Sequence, residues 1–225
     1  MADGAARAAG AHAPGRLRLS PGRHGLPRAV VAENQRERLL NGVVEAVAEH
    51  GYSAATIARI VEAAKISRRT FYEYFEGKED CFLAAYELIE AHVLDSMLNA
   101  PGASRQWPER VRARLAALLD VLSRDAAVSR CFLIEPLAAG GDVAARYREA
   151  MQLLAQTLRP EPPPSQLDME VRDQALMGGI VTLISRRLNA GAADRLPELL
   201  PDLVELTLAP FTGREEASRL AAEAA

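Results

Sequence analysis

The stretch Thr56–Lys78, T-I-A-R-I-V-E-A-A-K-I-S-R-R-T-F-Y-E-Y-F-E-G-K, constrains the fold more than any other part of this chain. Ile57, Ile60, Val61 and Ala64 recur at helical spacing and predict a short helix with one buried face. Lys65-Ile66 supplies a turn. Ser67 is placed to cap a second short helix, because its hydroxyl accepts a backbone N–H that the first turn leaves without a partner. Phe71 and Phe75, four apart, share a face that packs inward. The opposite face then shows Arg68, Arg69, Thr70, Tyr72, Glu73 and Tyr74. Such a pair of helices, with cations and hydroxyls outward, suits insertion into a DNA major groove.

The distribution of charge agrees with this. The formal net charge of −3 argues against a bulk nucleic-acid coat protein, but residues 1–78 hold 12 Lys/Arg against 8 Asp/Glu, and residues 79–225 hold 15 against 22. A basic front and an acidic rear fit one nucleic-acid-binding part and one part with another task. An uneven spread of this size also arises by chance in ordinary chains. Residues 1–29 are rich in Ala, Gly and Pro and carry Arg16, Arg18, Arg23, His24 and Arg28 against the single acid Asp3. Two readings stand for this arm: a tail that tracks DNA, or a solubilising leader.

The remainder reads as helices. The first runs from about Val30 to Glu49, with Leu39, Leu40, Val43, Val44 and Val47 as its apolar stripe and Gly51 just past its end. A long helix opens at Lys78 and runs to about Asn99, with Phe82, Leu83, Tyr86, Leu88, Ile89, Val93 and Met97 on one face. Further helices are predicted over 108–125, 126–139 (interrupted at Pro136), 142–158, 168–189 and 193–210, with a polar, fraying tail from Thr212. The fold class is all-α, with about nine helices. The domains are an arm over 1–29, a head over 30–77, a body over 78–211 and a tail over 212–225.

Gly51-Tyr52, the stretch 56–75 and G-K-E-D-C-F-L-A-A-Y at 77–86 strongly resemble the TetR family of bacterial transcriptional regulators, and 22–40 is similar to the lead-in of many actinobacterial members. The resemblance implies a three-helix helix–turn–helix head, a helical body that dimerises and often holds a small-molecule effector, and repression relieved by that effector. Carried over by position, Thr56 bonds a phosphate at the start of the second helix, and Ser67 opens the DNA-binding stretch Ser67–Tyr74. Arg68, Arg69, Thr70 and Tyr72 face the groove, and Tyr74 and Lys78 hold phosphates. Glu73 departs from the family, which often has His there. It either accepts from a cytosine amino group, pairs with Arg69 or points to solvent. The implied partners are a palindromic double-stranded operator, a second copy of the chain and an effector. The family pairs its last two long helices with their mates, here 168–189 and 193–210. Gly178-Gly179 fits close helix approach at that seam or inside the body, or a locally flexible helix.

Nothing points to an enzyme. His12, His24, His50 and His92 lack partners at metal or triad spacing, Cys81 and Cys131 form no paired motif, and no phosphate-binding glycine loop follows a strand. No cofactor is expected. No segment approaches the roughly 20 apolar residues that cross a bilayer, and no secretory signal is evident, so the expectation is a cytoplasmic protein. Trp107, Phe132, Tyr147, Met151 and Met177 are candidate pocket residues, although their helical spacing also fits plain core. A different class of function stays open beside the regulator: a small-molecule binding or sequestering protein with a vestigial head.

Overall fold

A computed structural model of the chain describes residues 28–102, 106–161 and 169–222, without the side chains of 28–32. Among these residues there are eleven α-helices, one 3-10 segment and no strand. The arm of residues 1–29 lies, but for the first two residues of the first helix, outside the described residues, as does most of the Pro-rich loop after Arg159.

The head is α1 (Arg28–His50), α2 (Ile57–Ala64) and α3 (Arg68–Tyr74). Gly51 ends α1 at φ +77°, a conformation that an L side chain resists, and its N–H bonds Val47 O at 2.8 Å. Thr56 caps α2 by accepting from Arg59 N at 3.3 Å. Lys65 takes the left-handed conformation at φ 54° and turns the chain toward α3. Arg38 of α1 holds that turn, donating to Ala64 O at 2.6 Å and Lys65 O at 2.7 Å. These carbonyls are among those that the end of α2 leaves without helical partners. Gly42 lets α1 and α2 touch: a Cβ there would sit 2.8 Å from Ile60 O and 2.9 Å from Ala64 Cβ. Leu39, Val43, Ile60 and Phe71 fill the small core between the three helices with no exposed surface.

The body is α4 (Lys78–Leu98), α5 (Trp107–Arg124), α6 (Ala126–Leu133), α7 (Pro136–Ala139), α8 (Gly141–Thr157), α9 (Met169–Asn189), α10 (Leu200–Thr212) and α11 (Arg214–Ala222). Its core is continuous with that of the head, from Leu39 in α1 to Ala221 in α11. The helix α4 joins them, packing against α1, α5, α6 and α8. Two thiols tie α1 to the body, Cys81 reaching Leu39 O and Cys131 reaching Val44 O. Burial pushes both thiols up to about 12, so neither is a reactive thiolate.

Three differences from the sequence reading have local causes. Pro136 has no N–H to continue the 126–139 helix and instead starts the separate α7. The predicted 193–210 helix begins as a 3-10 segment, Ala193–Leu199, containing Pro197, and only Pro201 at its first turn opens α10. The tail forms α11 rather than fraying, because Ala217 and Ala221, four apart, bury themselves against α10. The split at Pro136 and the added α11 account for eleven α-helices instead of about nine, with the 3-10 segment besides. Leu88, expected on the buried face of α4, is 54% exposed.

Candidate nucleic-acid interface and body cleft

The exposed face of α3 is built by its two ends and its two phenylalanines. Ser67 Oγ accepts from Thr70 N at 3.0 Å and fixes the first turn. Phe71 and Phe75 are buried, with ring centroids 5.9 Å apart, and lock the helix against the head core. Arg68, Arg69, Tyr72 and Glu73 are consequently exposed, and Thr70 is half-buried. Arg68 lies over the Tyr72 ring with its guanidinium 5.9 Å from the centroid. Glu73 pairs with Arg69 at 3.5 Å, one of the three readings open for it in the sequence. Both are well exposed, so the pair contributes little to stability and is free to rearrange. Thr56 is exposed at the start of α2.

Two residues expected to hold phosphates have protein partners. Tyr74 is half-buried, and its hydroxyl donates to Gln35 Oε1 of α1 at 3.0 Å; it faces α1, not outward. The side chain of Lys78 turns to the α1–α2 joint, donating to Tyr52 O at 2.7 Å with its ammonium 4.0 Å from the centre of the Tyr52 ring. Burial pushes its pKa down. An ammonium has three donors, so two remain for a phosphate.

The same joint is held from the body. Tyr52 N–H donates to Glu135 Oε2 at 2.8 Å, and Glu135 Oε1 receives Arg130 at 3.3 Å. Arg130 in turn donates to Asn189 Oδ1, at the end of α9, at 3.2 Å. Glu135 is 6% exposed, so this carboxylate is a buried junction between head, α6–α7 and α9. A second link runs from Glu79, in the first turn of α4, which accepts from Asp142 N at the start of α8 at 3.3 Å. Both links join residues far apart in sequence, and neither has a sequence signal.

The helices α8 and α9, which these links address, flank a cleft of about 710 Å³. Of the five candidate pocket residues, Tyr147, Met151 and Met177 line it. Trp107 does not: its indole N–H bonds Leu158 O at 3.0 Å and its ring meets Phe211 edge-on. Phe132 is core, stacked on Tyr86 at 5.5 Å. Sequence reasoning missed the polar lining, including Arg148, Gln152, Arg159 and Asp173. In the cleft wall Gly178 has open space around its Cβ position, whereas a Cβ on Gly179 would lie 3.1 Å from Leu206 Cδ2. The close approach at Gly179 is therefore between α9 and α10 of the same chain. Among the described residues no three His, Cys, Asp or Glu side chains converge as a metal site, and no helix is long and apolar enough to cross a membrane.

An all-helical chain with a capped three-helix head and a cationic, aromatic face on its third helix defines a helix–turn–helix protein. Residues 39–85 match the family described as bacterial regulatory proteins, tetR family. Over 51 residues it is 43% identical to the transcriptional repressor AcnR of Corynebacterium glutamicum, covering 23% of this chain and 27% of that one. It is 26% identical over 191 residues to the transcriptional repressor KstR of Rhodococcus jostii, covering 82% and 87% of the two chains. The solved regulator FadR of Bacillus subtilis, in complex with stearoyl-CoA, superposes with a TM-score of 0.65 at 18% identity, over 79% of this chain and 98% of that one. At that identity the superposition speaks to the fold. The chain spans only about a quarter of the length of the Corynebacterium repressor.

Proposed function

We propose that the protein is a cytoplasmic, homodimeric transcriptional repressor that binds a palindromic operator through Ser67–Tyr74 of each subunit and lets go when a small molecule occupies the body. The observation that carries this reading is α3: Arg68, Arg69 and Tyr72 stand exposed on a helix whose other face is anchored by Phe71 and Phe75. Arginine in the major groove reads guanine, and phosphate contacts at Thr56 and Lys78 set the register. The names of relatives support regulation rather than catalysis. Release requires an effector that prefers the non-binding state. The links from α8 to Glu79 and from α9 through Arg130 and Glu135 to Tyr52 give the body a physical hold on the head.

Selection of genomic fragments on the purified protein tests the reading and returns a palindromic consensus if it is right. Recovery of no enriched sequence favours the sequestering protein with a vestigial head. On the selected site, Arg69→Ala and Tyr72→Ala are each expected to weaken binding by about 1–3 kcal/mol with the dimer intact. Unchanged mobility shifts for both variants remove α3 from the groove.

A further inference from the structure

The cleft between α8 and α9 has a definite chemistry. At about 710 Å³ it suits a ligand of small-molecule size. Its buried floor is Tyr147, Met151 and Met177, an apolar surface that methionine makes adaptable. The charges in its wall cancel, Arg148 and Arg159 against Glu170 and Asp173. Arg159 is committed, donating to Asp173 Oδ2 from both Nε, at 2.9 Å, and Nη2. Asp173 is 7% exposed and is a buried carboxylate that repels an entering anion unless Arg159 stays on it. The other polar groups of the wall include the neutral amides of Gln152, Gln156 and Gln174, which both donate and accept. In α4, Tyr86 is fully buried with its hydroxyl unpartnered, and burial, with Glu90 and Tyr147 nearby, pushes its pKa up. A carboxylate or a chain of phosphates needs unspent cations and hydrogen-bond donors, and this wall has no excess of positive charge to offer.

We propose that this cleft binds an uncharged amphipathic molecule, an apolar skeleton carrying hydroxyl, carbonyl or amide groups, and excludes fatty acids and acyl-CoA thioesters. The proposal rests on the reading that the body holds an effector and names that effector's class. The committed Arg159–Asp173 pair selects against anions, the amides orient the ligand's polar groups, and the methionines adapt to its skeleton.

Anilinonaphthalene and its sulfonate share one aromatic frame and differ by one anionic sulfonate group, so fluorescence titration of the full chain with each reports the effect of adding that anion. The neutral probe is expected to saturate and to bind at least about tenfold more tightly than the sulfonate, a gap of about 1.4 kcal/mol. Gln152→Trp, at an exposed position of α8, fills the cleft mouth without disturbing the core and is expected to remove neutral-probe binding. Asp173→Asn releases Arg159 and is expected to raise sulfonate affinity several-fold. Equal or tighter binding of the sulfonate, efficient displacement of the neutral probe by oleoyl-CoA, or indifference to Gln152→Trp overturns the proposal. Should Asp173→Asn fail to fold, the wild-type comparison and the oleoyl-CoA competition still decide. Mobility shifts on the selected operator, run with the same protein, separate the two readings. Operator binding with anion-selective probe binding defeats this inference alone. Absence of any operator defeats the regulator reading and leaves the probe result standing.

Discussion

Tyr74 and Glu90 show how single side chains in this protein serve packing where position alone implies contact with DNA or solvent. Tyr74 spends its hydroxyl on Gln35, which braces α3 against α1. Tyr74→Phe is therefore expected to lower unfolding stability by about 1 kcal/mol in denaturant titrations and to leave operator affinity unchanged. A several-fold loss of affinity in the still-folded variant returns the hydroxyl to a phosphate. Glu90 of α4 pairs with Arg146 of α8 at 2.7 Å, but the burial is one-sided: the glutamate side chain is 2% exposed and the arginine 37%. Burial pushes the Glu90 carboxyl above its ordinary value, and Arg146 counters this only in part. A carboxyl whose folded pKa is raised stabilises the fold fully below its unfolded pKa and loses that contribution as the pH rises through the folded value. Glu90→Gln, its neutral isostere, is expected to raise the melting temperature at neutral pH, by an amount that shrinks as the pH nears 4.5, the ordinary value. Calorimetric melts across that range check it; a gap that widens on acidification contradicts it.

Whole elements depend on ties that span the chain. Glu135 accepts from Tyr52 N–H 83 residues away and from Arg130, so Glu135→Ala leaves a buried donor and a partly buried cation without their acceptor. The expected cost is about 1–3 kcal/mol, with the largest rise in amide exchange at the α1–α2 joint. A uniform rise across all helices means the carboxylate stabilises the fold without specifically holding the head. The contrast with α3 explains what was legible in the sequence. Ser67, Phe71 and Phe75 announce α3 because cap and buried face lie within one short window, and the Lys65 turn and Gly51 stop are equally local. The Gln35 partner of Tyr74 lies 39 residues upstream, and nothing in either residue names the other. Likewise Gly42 sits in a helical pattern that predicts no close approach until Ile60 and Ala64 are folded against it. In α11, alanines gave too little apolar signal to outweigh the surrounding charges. The cleft was half legible: buried Tyr147, Met151 and Met177 fit its floor, but whether α8 and α9 part to form a wall is a property of packing.

At the scale of the molecule, the proposed dimer would seat a second copy on the exposed apolar side chains of α9 and α10. Val171 is 62% exposed and Leu206 38% exposed, with Ala175 continuing the stripe of Val171 along α9. Self-complementary pairing across this face makes the proposed two-fold dimer. Leu206→Asp is expected to shift the protein to monomer in sedimentation velocity and to weaken operator binding by more than about tenfold, because each head then holds its half-site alone. A monomeric variant with full operator affinity removes the need for symmetry. The continuous core has a further consequence, for anyone wishing to give this head a new chemical sense. Bodies of related proteins invite grafting at Gly77, where the chain passes from one function to the other. That cut divides Leu39 from Cys81, Val44 from Cys131 and Tyr52 from Glu135. A working hybrid must transplant the receiving surface on α4 and α6–α7 together with α1, so the unit of exchange is a seam of side chains and not a length of sequence.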